Sequence, residues 1–121
     1  MAKARILLVD DDPFIVEALA DLLQFNDYET LTAHNGVEAL HILTTHQPNL
    51  IVSDTRMPQM DGVELLKAVK GDSRLAAIPF IFLSALSEKL EIAEMLRLGA
   101  VNCISKPYDP GYLLREIARH L

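Results

Sequence analysis

The sequence predicts one α/β domain in which helices cover both faces of a parallel β-sheet. Five short apolar segments alternate along the chain with five segments whose apolar residues recur at helical spacing. The apolar segments are nearly continuous, as is typical of strands buried on both faces of a parallel sheet. With 121 residues, half of them apolar, the chain has the size of a single domain with its own core.

The first predicted strand, Ile6 to Val9, leads into an acidic turn formed by Asp10, Asp11 and Asp12. Asp12 precedes Pro13, which suits a helix N-cap followed by proline at the first helical position. The apolar residues predicted for this helix are Phe14, Val16, Ala18, Leu19, Leu22 and Leu23. Capping accounts for only one of the three acids, so Asp10 and Asp11 are candidates for a functional site.

The second predicted strand is Tyr28 to Ala33, and the second helix begins after Asn35, with Glu38 in the position of a capping-box glutamate. The apolar residues predicted for this helix are Val37, Leu40, Ile42 and Leu43. The third strand, Leu50 to Ser53, ends directly at Asp54. A carboxylate in this position lies at the edge of the sheet rather than inside it.

Beyond Asp54, the pattern of a cap and a glutamate recurs at Asp61, ahead of the third helix. The fourth strand, Phe80 to Leu83, ends in Ser84, and Ser87 is predicted to cap the fourth helix.

The fourth helix is predicted to end at Gly99. The fifth strand, Val101 to Ile104, is followed by Ser105 and Lys106, and Asp109 opens the last helix.

Polar side chains therefore follow four of the five strands. They are Asp10 and Asp11, Asp54, Ser84, and Lys106. Ligands of open α/β sheets bind beyond the carboxyl ends of the strands, and the strand order 2-1-3-4-5 would make these four ends neighbours. The second strand, which ends in an alanine, would then lie at the edge of the sheet.

This group of residues suits magnesium and phosphate. Three carboxylates at close range repel one another unless a cation lies among them, and Mg²⁺ takes one or two carboxylates while keeping waters and phosphate oxygens. Lys106 offers a compact positive charge for a phosphate, and Ser84 offers a hydroxyl donor. Asp54 can itself act as a nucleophile and form an aspartyl phosphate.

These residues resemble the receiver domains of two-component response regulators over essentially the whole chain, 1–121. The matching motifs are Val-Asp-Asp at 9–11, Ser-Asp-Thr-Arg-Met-Pro at 53–58, Met-Asp-Gly at 60–62, Ser-Ala at 84–85 and Lys-Pro at 106–107. The resemblance implies a flavodoxin-like (βα)5 fold, a three-layer sandwich around a parallel five-stranded sheet of order 2-1-3-4-5.

The resemblance also implies the role of each site residue. Asp54 would be the phosphoacceptor, and Asp10 and Asp11 would hold Mg²⁺ together with Asp54 and the backbone carbonyl of Arg56. Lys106 would pair with the phosphoryl group, which comes from a sensor histidine kinase or a histidine phosphotransfer protein. The domain would catalyse only its own phosphorylation and dephosphorylation.

In this family the hydroxyl at the Ser84 position moves toward the phosphoryl oxygens. The Ser84–Leu121 face, formed by the fourth helix, the fifth strand and the fifth helix, is then remodelled for a downstream protein or output domain. A phosphorylation-dependent dimer is compatible with this scheme. The Lys106–Pro107 bond matches the family's cis peptide, whereas Cys103 stands where many members carry an aromatic ring.

Two side chains would flank the route of the water that attacks the phosphoryl group, namely Arg56 and Leu86. We expect their bulk to slow the loss of the phosphoryl group.

Composition narrows the partners and the compartment. Eleven basic against 17 acidic residues give a formal charge of −6, which disfavours a nucleic-acid surface. The apolar segments are too short to span a membrane or to form a signal-peptide core. The single cysteine, Cys103, has no internal partner for a disulfide, which favours a reducing, cytoplasmic setting.

Three other functions remain open at this point. A phosphohydrolase with an aspartate nucleophile would carry a second acid two residues after Asp54, where this chain has Arg56. A nucleotide-binding domain would show a glycine-rich phosphate loop, which the sequence lacks. A receiver-like binding module that works without phosphorylation is compatible with Cys103.

Overall fold

The computed structural model describes residues 3–85 and 89–121, which form a five-stranded parallel sheet and five helices. The strands are β1 (Arg5–Val9), β2 (Glu29–Ala33), β3 (Leu50–Ser53), β4 (Phe80–Ser84) and β5 (Asn102–Ser105). The helices are α1 (Pro13–Phe25), α2 (Gly36–Leu43), α3 (Gly62–Lys70), α4 (Lys89–Arg97) and α5 (Pro110–Arg119). The sheet order is β2-β1-β3-β4-β5, so the predicted fold class and strand order are confirmed.

The register of the strands decides which of their ends meet. Val9 and Ser53 are paired across β1 and β3, and Ser84 and Ser105 are paired across β4 and β5. The ends of these strands therefore lie at the same edge of the sheet, with Asp10, Asp54 and Lys106 directly after β1, β3 and β5 and with Ser84 as the last residue of β4. This register brings the predicted polar residues together.

Two hydrophobic layers pack on opposite faces of the sheet. Because successive side chains of a strand point to opposite faces, Leu7 and Val9 join one layer, whereas Ile6 and Leu8 join the other. The first layer is completed by side chains of α2, α3 and α4, and the second by side chains of α1 and α5. The result is a three-layer sandwich whose strands are buried on both faces.

Capping residues begin the helices where the sequence predicts them. Asp12 accepts a hydrogen bond from the Phe14 amide, and Asp61 and Glu64 form both halves of a capping box. At α2 the Asn35 side chain accepts from the Glu38 amide, and the Glu38 carboxylate lies 3.5 Å from His34. The predicted cap at Ser87 lies outside the residues that the structure describes.

Three apolar residues predicted for α1 and α2 are exposed instead, namely Phe14, Ala18 and Val37. Phe14 is 81% exposed and Val37 is 51% exposed. An α-helix turns by about 100° per residue, so Phe14 lies opposite the buried stripe of α1, whose centre is marked by Val16 and Leu23. Apolar character alone predicted a wider buried face than the sheet covers.

Candidate functional site

The central strands place two acids side by side at the edge of the sheet. The Asp54 amide donates to the Val9 carbonyl at 2.8 Å, which extends the pairing of β1 and β3 by one residue. Carboxylate oxygens of Asp10, Asp11 and Asp54 all lie within 4.8 Å of one another. Asp10 is buried and Asp11 is exposed, so the cluster opens to solvent on one side.

Lys106 reaches this cluster from the segment that follows β5. Its Nζ lies 2.9 Å from Asp10 Oδ2 and 3.4 Å from Asp54 Oδ2. Its backbone amide donates to the Ser84 carbonyl at 2.8 Å, which fixes the start of the segment against β4. The Lys106–Pro107 peptide bond is cis, as expected. Residues 96 positions apart in the chain thus form one ion pair.

The charges in the site are unbalanced, with three carboxylates against one ammonium group. Burial raises the pKa of Asp10, although the Asp12 amide and Lys106 favour the charged carboxylate. Burial also opposes the charge on Lys106, but its hydrogen bond to Asp10 and the charges of Asp54 and Asp10 outweigh this, and the pKa of Lys106 is raised. The site therefore favours the binding of a further cation.

Mg²⁺ fits this donor set. It is a hard cation that binds carboxylate oxygens and keeps several waters, and Asp11 on the exposed side leaves room for such waters. Among the described residues, the group with metal-binding geometry consists only of oxygen donors. Asp10, Asp11 and Asp54 are thus the side chains that could hold the ion.

Thr55 is a site residue that sequence reasoning missed. Its backbone amide donates to Asp54 Oδ1 at 2.7 Å, and its Oγ1 lies 2.6 Å from Ser84 Oγ. Thr55 and Ser84 are only 5% and 6% exposed. A polar residue directly after the candidate nucleophile was the available signal, but its partner could not be found without the tertiary structure.

Gly62, the first residue of α3, is a second missed feature. A Cβ at this position would collide with the Asp54 carbonyl oxygen and would lie 2.9 Å from the Phe82 ring. The Gly62 amide also donates to the Thr55 carbonyl at 2.9 Å. Close packing of α3 against Asp54 and Thr55 therefore requires a residue without a side chain.

The remaining residues singled out in the sequence are Arg56, Leu86, Cys103 and Ser105. The Arg56 side chain is exposed, and Leu86 lies outside the described residues. Cys103 is half-buried with its Sγ 3.9 Å from Met95 Sδ, and burial raises the pKa of its thiol. Ser105 is exposed at the end of β5.

Comparison with protein families agrees with the fold and the site. The model of the response regulator receiver domain matches residues 6–118. The polar-differentiation response regulator DivK of Brucella anthropi is 31% identical over 116 residues, which cover 96% of this chain and 94% of DivK. The transcriptional regulatory protein CrdR of Helicobacter pylori is 34% identical over 117 residues, which cover 97% of this chain and 54% of CrdR.

Solved structures resemble the chain over nearly its full length. The chemotaxis response regulator CheY4 of Vibrio cholerae has a TM-score of 0.92 at 34% identity and covers 98% of this chain and 99% of its own. The receiver domain of a histidine kinase from Syntrophus aciditrophicus has a TM-score of 0.90 at 37% identity and covers 98% of this chain and 89% of its own.

The chain belongs to the family of response regulator receiver domains. Receiver domains bind Mg²⁺ at an acidic pocket, and phosphorylation is typical of them. The chain spans about half the length of the transcriptional regulator CrdR and a quarter of the regulatory protein AtoC, of which it covers 54% and 25%. No helix within residues 3–85 and 89–121 has the length and apolar character needed to cross a bilayer.

Proposed function

We propose that Asp54 accepts a phosphoryl group from a histidine kinase or a histidine phosphotransfer protein in a reaction that depends on Mg²⁺. The observation that carries this proposal is the placement of Asp54 between a lysine and two further acids. Lys106 Nζ lies 3.4 Å from Asp54 Oδ2, and Asp10 and Asp11 place carboxylate oxygens within 4.8 Å of it.

The reaction is a transfer between two nucleophiles. A carboxylate oxygen of Asp54 forms a bond to phosphorus while the phosphorus–nitrogen bond of the donor phosphohistidine breaks. The ring keeps the electron pair of that bond and leaves as neutral imidazole, because its other nitrogen carries a proton in the donor. The Thr55 amide orients the carboxylate through Oδ1, and Lys106 offers positive charge to the incoming phosphoryl oxygens. Mg²⁺, held by Asp10, Asp11, Asp54 and the Arg56 carbonyl, would supply neutralising charge on those oxygens.

The product is an acyl phosphate whose oxygens can accept a hydrogen bond from Ser84. Lys106 joins the two events, because its backbone amide is bonded to the Ser84 carbonyl and its ammonium group lies beside Asp54. We propose that the movement of Ser84 toward the phosphoryl oxygens changes the Ser84–Leu121 face. Large apolar side chains already lie exposed there, namely Leu96, Val101, Tyr112 and Leu121.

This function is signalling without turnover of an external substrate. Response regulators are generally signalling proteins rather than metabolic enzymes. We propose that the domain, residues 1–121, catalyses only its own phosphorylation and dephosphorylation, the latter slowed by Arg56 and Leu86. An unchanged phosphoryl half-life in the Arg56→Ala and Leu86→Ala variants would contradict the last point.

The proposed partners are a phosphodonor and a downstream protein or output domain. The net charge of −6 disfavours nucleic acid as a ligand of this chain. A phosphorylation-dependent dimer through the Ser84–Leu121 face is compatible with its exposed apolar side chains. The proposed location is the cytoplasm, where a free thiol such as Cys103 stays reduced.

The test is intact-mass analysis after incubation with acetyl phosphate and Mg²⁺. We expect one phosphoryl adduct on the wild-type chain, none on Asp54→Asn, and one on the control Asp21→Asn, which removes an exposed acid of α1. Chelation of the metal should prevent adduct formation.

A wild-type chain without an adduct, or an equal adduct on Asp54→Asn, would refute phosphorylation at Asp54. That result would favour the alternative hypothesis that Cys103 allows, a receiver-like binding module that works without phosphorylation.

A further inference from the structure

Thr55 connects the proposed phosphoacceptor to the proposed switch residue. Its backbone amide binds Asp54 Oδ1 at 2.7 Å, and its hydroxyl lies 2.6 Å from the Ser84 hydroxyl. Both hydroxyl groups are buried, with residue exposures of 5% and 6%. The group that would bind the phosphoryl oxygens is therefore already hydrogen-bonded, and its partner is the neighbour of the phosphoacceptor.

We propose that Thr55 is a positioning residue that holds Ser84 in its unphosphorylated orientation. Thr55 thereby sets the free energy that the phosphoryl group must supply to reorient Ser84. This inference rests on the proposed function, in which Ser84 contacts the phosphoryl group. It assigns to Thr55 a role beyond packing and beyond the binding of Asp54.

Two buried hydroxyl groups decide the energy difference between the two orientations of Ser84. When Ser84 turns to the phosphoryl oxygens, its bond to Thr55 is broken and the Thr55 hydroxyl is left buried without that partner. A buried polar group that loses its partner is costly, so the Thr55–Ser84 pair stabilises the unphosphorylated arrangement. A hydrogen bond to the charged phosphoryl oxygens is stronger than one between neutral hydroxyls, so phosphorylation can overcome the pair.

A ligand shifts a two-state equilibrium only by the difference in its affinity for the two states. Any interaction present in one state alone therefore changes the apparent affinity of the ligand. The Thr55–Ser84 bond is such an interaction, and its removal should favour the phosphorylated arrangement. Thr55→Val keeps the shape of the side chain and removes only the hydroxyl, whereas Thr55→Ser keeps the hydroxyl.

The experiment measures the affinity of the full chain for beryllofluoride, a phosphoryl mimic, in the presence of Mg²⁺, by titration of backbone amide NMR signals. We expect Thr55→Val to bind about fivefold more tightly than wild type, the size expected for one net hydrogen bond. Thr55→Ser should bind like wild type. In a Ser84→Ala background the Thr55→Val substitution should change nothing, because its partner is gone.

Three results would overturn the inference. Weaker binding by Thr55→Val would mean that the Thr55 hydroxyl assists the bound state. Equal changes in beryllofluoride affinity in Thr55→Val and Thr55→Ser would indicate a packing effect. If Thr55→Val changed the affinity equally in the Ser84→Ala background and in the wild type, Ser84 would not be involved. The amide spectra of the free variants verify that each is folded.

Phosphorylation by acetyl phosphate shows whether the inference about Thr55 or the proposed function itself has failed. If Asp54 of the wild type carries no adduct, the proposed function is wrong. If all variants carry the adduct and bind beryllofluoride equally, only the role of Thr55 is wrong.

Discussion

Asp10 contributes to both the fold and the site. One carboxylate oxygen accepts the Asp12 amide at 2.9 Å, which supports the turn into α1, and the other accepts from Lys106 at 2.9 Å. The side chain is nevertheless buried, and burial raises its pKa above the ordinary value of 3.8. The hydrogen-bond partners of Asp10 therefore stabilise its charged form, whereas the loss of solvent destabilises that form.

The raised pKa of Asp10 fixes the sign of a pH effect. A raised pKa means that the folded state binds the proton more tightly than the unfolded state, so this contribution to stability is present below pH 3.8 and is lost as the pH rises through the folded-state pKa. At neutral pH the charged Asp10 thus lowers the stability of the metal-free protein.

We expect Asp10→Asn to raise the Tm of the metal-free protein at neutral pH. Asparagine removes the buried charge and keeps an acceptor for the Asp12 amide, and Lys106, which loses its bond to residue 10, still pairs with Asp54. The same change should abolish stabilisation by Mg²⁺, which at one hundred times its Kd is about 2.7 kcal/mol. Thermal unfolding with and without Mg²⁺ measures both effects.

Asp11→Asn is the matched control, because Asp11 is exposed and should affect only the response to Mg²⁺. A lower metal-free Tm for Asp10→Asn would contradict the argument from burial.

At the scale of the elements, α3 is positioned by the contact of its first residue with β3 and β4. Gly62 packs against the Asp54 carbonyl and the Phe82 ring, and the capping box of Asp61 and Glu64 fixes the helix start beside it. The segment between Asp54 and α3 is therefore held at its α3 end by packing and by the capping box. These contacts support the placement of the candidate phosphoacceptor.

We expect Gly62→Ala to lower the free energy of unfolding by about 1–3 kcal/mol, because the new methyl group forces the backbone of Asp54 to shift. Gly111→Ala is the control, since its Cβ would meet only the flexible Arg115 side chain at 3.4 Å and the Asp109 carboxylate at 3.8 Å. Alanine there should stabilise α5 by about 0.5–1 kcal/mol.

Urea denaturation compares the two variants. If Gly62→Ala were as stable as the wild type, the close contact would not require a residue without a side chain at position 62. Phosphorylation by acetyl phosphate should also slow in Gly62→Ala but not in Gly111→Ala.

At the scale of the whole molecule, the sheet links the site to the Ser84–Leu121 face. Ser84 and Ser105 are paired at the ends of β4 and β5, and Lys106 follows directly. The proposed movement at Ser84 or Lys106 would therefore act on the edge of the sheet that α4 and α5 flank. By contrast, α2 packs next to β2 at the other edge.

We expect Mg²⁺ with beryllofluoride to change amide hydrogen exchange in α4 and β5 and to leave α2 unchanged. Exchange reports local opening, which depends on the contacts that each element makes. Hydrogen exchange read by mass spectrometry measures the effect, with Asp54→Asn as the control that should not respond. Changes confined to the surroundings of Asp54 would favour a receiver that does not signal through its last two helices.

The sequence alone determined the fold class, the carboxyl ends of β1, β2 and β3 and the identity of the chemical groups, whereas β4 and β5 extend one residue beyond their predicted ends. These follow from local patterns, because apolar segments mark buried strands and the residue after each strand must lie at the sheet edge. Asp10, Asp11, Asp54, Ser84 and Lys106 were all found in this way. The sequence did not show that Asp10 is buried and Asp11 exposed, because burial depends on neighbouring elements.

Only the tertiary structure decided which groups touch across the sheet. The Thr55–Ser84 hydroxyl pair joins residues 29 positions apart, and the close contact of Gly62 depends on the angle at which α3 meets the sheet. The exposure of Phe14 likewise depends on how much of α1 the sheet covers. Such contacts arise from packing between elements, whereas a sequence pattern reports only the preference of each element for burial.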